Sequence, residues 1–128
     1  MPVQANVITI AVEDLARSRA FYKDGLGCAI AQDYPHFVSF DLGEGSSSLG
    51  IYTREAAAQD AGVSSEGSGF RGAAFHYIVA SREAVDEVMA QAVAAGGSVV
   101  KAAEGTKWGY YAYFADPDGY LWKVATSA

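Results

Sequence analysis

The stretch "FADPDGYLWKVA", residues 114–125, decides how the chain is read. Asp116-Pro117-Asp118-Gly119 predicts a tight turn. Pro117 presets φ at the first central position, Asp116 can bond back to the turn backbone, and Gly119 suits the last position. The flanking runs "YYAYFA" (110–115) and "YLWKVA" (120–125) are largely apolar and aromatic and read as the two strands of a hairpin. Alternation sends Leu121, Lys123 and Ala125 to one face, which places a charge among apolar neighbours. Lys123 is therefore either a solvated lysine on an outer face or the one charged group of a pocket.

Upstream, "SVVKA" (98–102) is a further strand, and a helix precedes it. Ser81 can cap that helix with Glu83 in its first turn. Val85, Val88, Met89 and Ala92 mark its buried stripe, and Gly96-Gly97 ends it. "FHYIVA" (75–80) is the strand before the helix. The first half of the chain has the same order. "VITIAV" (7–12) is a β-branched strand, and Asp14 fits a helix N-cap. Leu15, Ser18, Tyr22 and Leu26 recur at helical spacing until Gly25 and Gly27 stop the helix. Strand-like runs follow at about 28–33, 36–42 and 47–53, the last two joined by the turn "GEGSSS". "REAAAQDAG" adds one or two helical turns, and "VSSEGSGFRG" is a Gly/Ser loop between the halves.

The pattern predicts an α+β fold of two tandem βαβββ modules, about 1–62 and 70–128, within one domain of 128 residues. Each module alone would leave one sheet face uncovered, so the two should pack as a unit. A sandwich with coincidental symmetry is the alternative. "FVSFDLGEGSSSLGIY" lies over "YYAYFADPDGYLWKV" when Phe40 matches Phe114 and Leu49 matches Leu121. The first hairpin is then two residues longer, and Ile51 falls on Lys123.

Composition narrows the partners. Apolar residues make up 51% and charged residues 19%, ordinary for a soluble globular protein. A net charge of −6, with no basic stripe, argues against nucleic acid or an anionic membrane surface. The lone Cys28 cannot form an internal disulfide and sits in the apolar context "GCAIA", which reads as packing. There is no signal-peptide pattern and no apolar run of the ~20 residues a transmembrane helix needs, so a cytoplasmic location is expected. Phosphate-loop and dinucleotide fingerprints are absent, and no cofactor is expected.

"ITIAVEDLARSRAFYKDGLG" resembles the opening signature of the glyoxalase, bleomycin-resistance and extradiol-dioxygenase superfamily, the vicinal oxygen chelate proteins. "WGYYAYFADPDGYLWKVA" resembles its closing one, and "LGIYTREAAAQDAGV" and "SREAVDEVMAQAVAAGG" fit between them. The resemblance implies modules that curl their sheets around a cleft, and members that commonly pair, so a homodimer is expected. It also implies four inward ligand positions in metal-dependent members, on the first and fourth strands of each module, usually His or Glu. Here the first falls on Val7 and the second on Ile51. The third falls on Ala74 or His76, depending on register, and the last, usually Glu, falls on Lys123. An ammonium has no lone pair to donate and repels a cation. No resident metal is expected.

The candidate ligand-binding residues are Lys123, His76, Thr9, Trp108 and Tyr110. Both module registers have odd offsets, so His76 shares a face with Val7, Thr9 and Ala11. Lys123 on the inner face would attract a carboxylate, phosphate or enolate oxygen. Trp108, Tyr110, Tyr111 and Tyr113 cannot all face one way, so some pack on helices while others offer flat walls to a ligand. Two functions fit. One is a metal-free small-molecule binding protein with an apolar and aromatic cleft. The other is a lyase, isomerase or dioxygenase, either metal-independent through Lys123 or His76 or metal-dependent with ligands elsewhere; no catalytic residue is assigned.

Overall fold

A computed structural model describes residues 5–67, 69–71 and 73–128. The chain divides into two compact units, Met1–Glu66 and Gly67–Ala128. The first contains β1 (Val7–Val12), α1 (Leu15–Ala20), β2 (Ala29–Asp33), β3 (Phe37–Asp41), β4 (Ser48–Thr53) and α2 (Arg54–Ala61). The second contains β5 (Ala74–Ile78), α3 (Arg82–Ala94), β6 (Ser98–Thr106), β7 (Gly109–Ala115) and β8 (Leu121–Thr126). Each unit is a βαβββ module with one four-stranded mixed sheet, ordered β1-β4-β3-β2 in the first and β5-β8-β7-β6 in the second. This is the fold the sequence predicts. Among the described residues, no helix is long and apolar enough to cross a membrane.

In both units the outer strand pairs in parallel with the last one, and every other pairing is antiparallel. Parallel strands need a crossover, and here α1 and α3 begin the connections. Asp14 caps α1 by accepting from the Arg17 amide at 3.0 Å, and Ser81 caps α3 by accepting from the Ala84 amide at 3.1 Å. The helix after Asp14 differs from a plain α-helix. Past Ala20 it widens into a π turn, Phe21–Gly25, where the Leu26 amide donates to the Phe21 carbonyl at 2.9 Å. The widened turn lets two successive aromatic side chains, Phe21 and Tyr22, both reach the core, their rings packed edge to face 5.0 Å apart. Gly27, at φ 77°, then ends the helix as expected.

Each sheet covers one face with its helix. In the first unit Ile10, Val12, Val38, Phe40, Leu49 and Ile51 are buried. In the second the corresponding group is Val85, Met89 and Ala92 of α3 with Ala112, Phe114 and Val124 of the sheet. The opposite face of each sheet is the open one.

The expected turn at 116–119 is present. The Gly119 amide donates to the Asp116 carbonyl at 3.0 Å, while one carboxylate oxygen of Asp116 accepts from the amides of Asp118 and Tyr120, each at 2.9 Å. Gly119 takes φ 87°. The two hairpins differ in length by less than the sequence predicts. Phe40 pairs with Leu49, and Phe114 pairs with Trp122. Matching Phe40 to Phe114 therefore puts Leu49 on Trp122 and Gly50 on Lys123. The first hairpin is longer by one residue, and the two-residue estimate put Ile51 on the wrong face. Ile51 pairs with Ile10 and Val38 and is 0% exposed, under the helix.

Candidate functional site

The open face of the second unit is set by register. In the parallel pair, Ala74 faces Leu121, His76 faces Lys123, and Ile78 faces Ala125. Across the antiparallel pair, Tyr113 faces Lys123 and Tyr111 faces Ala125. Phe114, Trp122, Ala112 and Val124 alternate to the helix side. Lys123 thus stands between an imidazole on one neighbouring strand and a phenol ring on the other. Paired residues on adjacent strands sit about 5 Å apart, within direct side-chain reach.

Lys123 is half-buried, and its Nζ lies 4.8 Å from the centroid of the Tyr111 ring. Lys101 approaches the same ring at 4.8 Å and donates from Nζ to the Tyr111 hydroxyl at 2.5 Å. That hydroxyl donates in turn to Glu104 Oε1 at 3.0 Å, and Lys101 pairs with the same carboxylate at 3.2 Å. The hydrogen bond to Tyr111, then that to Glu104, pushes the Lys101 ammonium above its ordinary range. The bond from Lys101, then that from Tyr111, holds the Glu104 carboxyl below its own. Tyr111 is therefore an aromatic ring approached by two cations, its hydroxyl tied to a third charged group. In the sequence it is only one member of an aromatic run. Its alignment with Lys123 depends on strand pairing, which local spacing does not carry.

Among the expected site residues, His76 and Lys123 are register partners on adjacent strands. Tyr110 pairs with Thr126 and lies on the helix side, where its hydroxyl donates to Asp86 Oδ1 of α3 at 2.7 Å. That bond, then burial, raises the Tyr110 phenol above its ordinary value. Trp108 sits at the tip of the β6–β7 turn, 80% exposed, with Lys107 Nζ 4.9 Å from its ring. Thr9 lies on the open face of the first unit beside Gly50, its register partner. A Cβ on Gly50 would lie 2.7 Å from Cε1 of Phe37, so the Phe37 ring fills the position that corresponds to Lys123. Burial pushes the Cys28 thiol up.

The four positions that would carry metal ligands by the family pattern hold Val7, Gly50, Ala74 and Lys123, with His76 one alternation along from Ala74. Two aliphatic side chains, a glycine and an ammonium supply no lone pair for a divalent cation. Among the described residues, no cluster of three His, Cys, Asp or Glu side chains exists either. These residues do not fit a resident metal. They suit an oxygen-bearing organic group, which an ammonium and an imidazole can both address.

Residues 4–124 match the family model described as Glyoxalase/Bleomycin resistance protein/Dioxygenase superfamily. No curated protein matches the chain. Among solved structures, a glyoxalase-related enzyme from Fulvimarina pelagi is 30% identical, with a TM-score of 0.87, over 96% of this chain and 87% of that one. A glyoxalase/bleomycin resistance protein/dioxygenase family enzyme from Burkholderia phytofirmans PsJN is 26% identical, with a TM-score of 0.87, over 98% of this chain and 100% of that one. A lactoylglutathione lyase from Agrobacterium tumefaciens, 18% identical with a TM-score of 0.70, over 98% of this chain and 94% of that one, shares the fold. Two βαβββ units, the turn at 116–119 and a match over nearly the whole length agree: the chain belongs to the glyoxalase/bleomycin resistance protein/dioxygenase superfamily.

Proposed function

We propose that this chain is a metal-free small-molecule binding protein whose ligand lies on the open face of the second unit. Lys123 is its charged anchor and His76 its second polar contact. The observation that carries this reading is the register pairing of His76 with Lys123, at a position where the family pattern calls for a carboxylate. Tyr111 and Tyr113 supply the flat walls that the sequence assigned to Trp108 and Tyr110. Thr9 offers a polar contact on the open face of the first unit. The ligand class is an organic molecule with an anionic or oxygen-rich group and an apolar body.

Native mass spectrometry of protein purified without chelator tests the reading. A bound organic mass with no metal supports it. Near one Zn, Ni, Mn or Fe per chain, removed by chelation together with an activity, overturns it.

A second reading is favoured by the same pair. An ammonium that stabilises an enolate oxygen, next to an imidazole that can take the α-proton, suits a metal-independent lyase or isomerase. Solvent deuterium entering a bound carbonyl compound in wild type, and failing to enter in His76→Ala, would move the assignment from binding to catalysis.

A further inference from the structure

At the turn end of the second unit a cavity of about 420 Å³ opens, a volume suited to a small organic molecule. Its apolar lining is Phe70, Ala73, Val100, Ala115 and Leu121, and its charged lining is Arg71 and Asp118. Ala115 and Leu121 are register partners, and Leu121 points the same way as Lys123 two residues on. The cavity therefore continues the open face, yet its cation is a different residue.

Arg71 is fixed from two sides. Its guanidinium carbon lies 4.4 Å from the centroid of the Tyr120 ring, and Nη1 donates to the Asp118 carbonyl at 3.0 Å. The ring contact and the bond to Asp118 together hold the guanidinium in place. One of five N–H donors is used in this way. Arg71 forms no other hydrogen bond with the described residues. A planar donor fork already held in place loses little entropy when it grips a planar acceptor, and a carboxylate matches it with two parallel bonds. Asp118 restricts the choice further. With a carboxylate already in the lining beside Arg71, a monoanion leaves one uncompensated negative charge and a phosphate dianion leaves two, so the monoanion is the less disfavoured. The hydrocarbon lining selects the rest of the molecule.

We infer that this cavity is a subsite for the carboxylate of an apolar monoacid, gripped by Arg71 with its hydrocarbon or aromatic body against Val100, Ala115 and Leu121. The inference rests on the proposed function in taking the open face as the ligand's seat, and it adds a second anchor and a ligand class.

Calorimetric titration with 1-naphthoate and with 1-naphthamide, its neutral counterpart of the same shape, tests it. Wild type should prefer the naphthoate. Arg71→Met should abolish the preference, lowering naphthoate affinity about tenfold or more and leaving naphthamide unchanged. Asp118→Asn should tighten naphthoate binding, and Val100→Trp, at an exposed strand position, should weaken both probes by filling the cavity. Lys107→Met, which removes a cation outside the cavity lining, should change naphthoate affinity by less than about threefold. Loss of naphthoate on Lys123→Met with none on Arg71→Met overturns the subsite and leaves Lys123 as anchor. Equal affinity for the two probes in wild type, or binding of neither, overturns it outright. Circular dichroism of each variant separates lost binding from lost folding.

Discussion

Lys123 gains from the Tyr111 ring in the free protein, by about 0.5–1 kcal/mol for a cation over an aromatic face at a half-exposed position. A charge-assisted bond to a ligand contributes ~1.5–3 kcal/mol, so the ligand and not the fold is the larger beneficiary of the charge. Lys123→Met keeps the stem and removes the cation. It should lower affinity for the ligand identified by mass about ten- to a hundredfold while the melting temperature changes little. An unchanged affinity would make the lysine ordinary surface. Two glycines give a second comparison at this scale. A Cβ at Gly50 meets the Phe37 ring at 2.7 Å, whereas one at Gly109 meets the Thr126 carbonyl oxygen at 2.1 Å with the backbone at φ 134°. A half-exposed ring can swing aside, but a paired backbone carbonyl cannot. Gly50→Ala should cost about 1–3 kcal/mol, and Gly109→Ala distinctly more, checked by urea denaturation of both. Register explains why residue roles were only partly legible in the sequence. Parity along β5 correctly put His76 on the open face. Its register pairing with Lys123, and the displacement of Tyr110 to the helix side, depend on which strands pair and with what offset.

Among the elements, those with a strong local signal were legible and those governed by their surroundings were not. The caps at Asp14 and Ser81, the stripe of α3 and the turn at 116–119 each rest on residues within a few positions of one another. Ser81→Ala should destabilise the protein by about 1 kcal/mol, because the Ala84 amide loses its acceptor; thermal unfolding measures it. The π turn after α1 gave no such signal. Leu15, Ser18, Tyr22 and Leu26 have helical spacing, and the widening follows from the need to seat both Phe21 and Tyr22 against the sheet, with Tyr22 5.8 Å from Phe40. β6 likewise runs to Thr106, past the five residues expected, since the long β7 beside it offers partners as far as Gly109. Its register shifts twice on the way, between Val99 and Lys101 and between Lys101 and Glu104. Bulges of this kind re-aim side chains, and both flank the lysine that meets Tyr111.

For the whole molecule, exposed apolar side chains bear on association. Tyr77 and Ile78 of the outer strand β5 are 50% and 67% exposed. An edge strand with such residues invites pairing unless something covers it. We propose a homodimer as that cover, where a standard interface buries ~800 Å² on each partner. Light scattering at micromolar concentration should give twice the chain mass, and a monomer there would count against it. The parallel pairing that sets His76 beside Lys123 has a further consequence, for the order of assembly. It joins the first strand of the unit to its last, so it closes the longest loop, and loop entropy predicts that the β6–β7 and β7–β8 hairpins form before it. Native-state hydrogen exchange should therefore find the amides of β5 exchanging faster than those of β7. The rung that carries the ligand anchor would be the last to zip and the first to open, and an occupied site would act as the clasp that slows its opening.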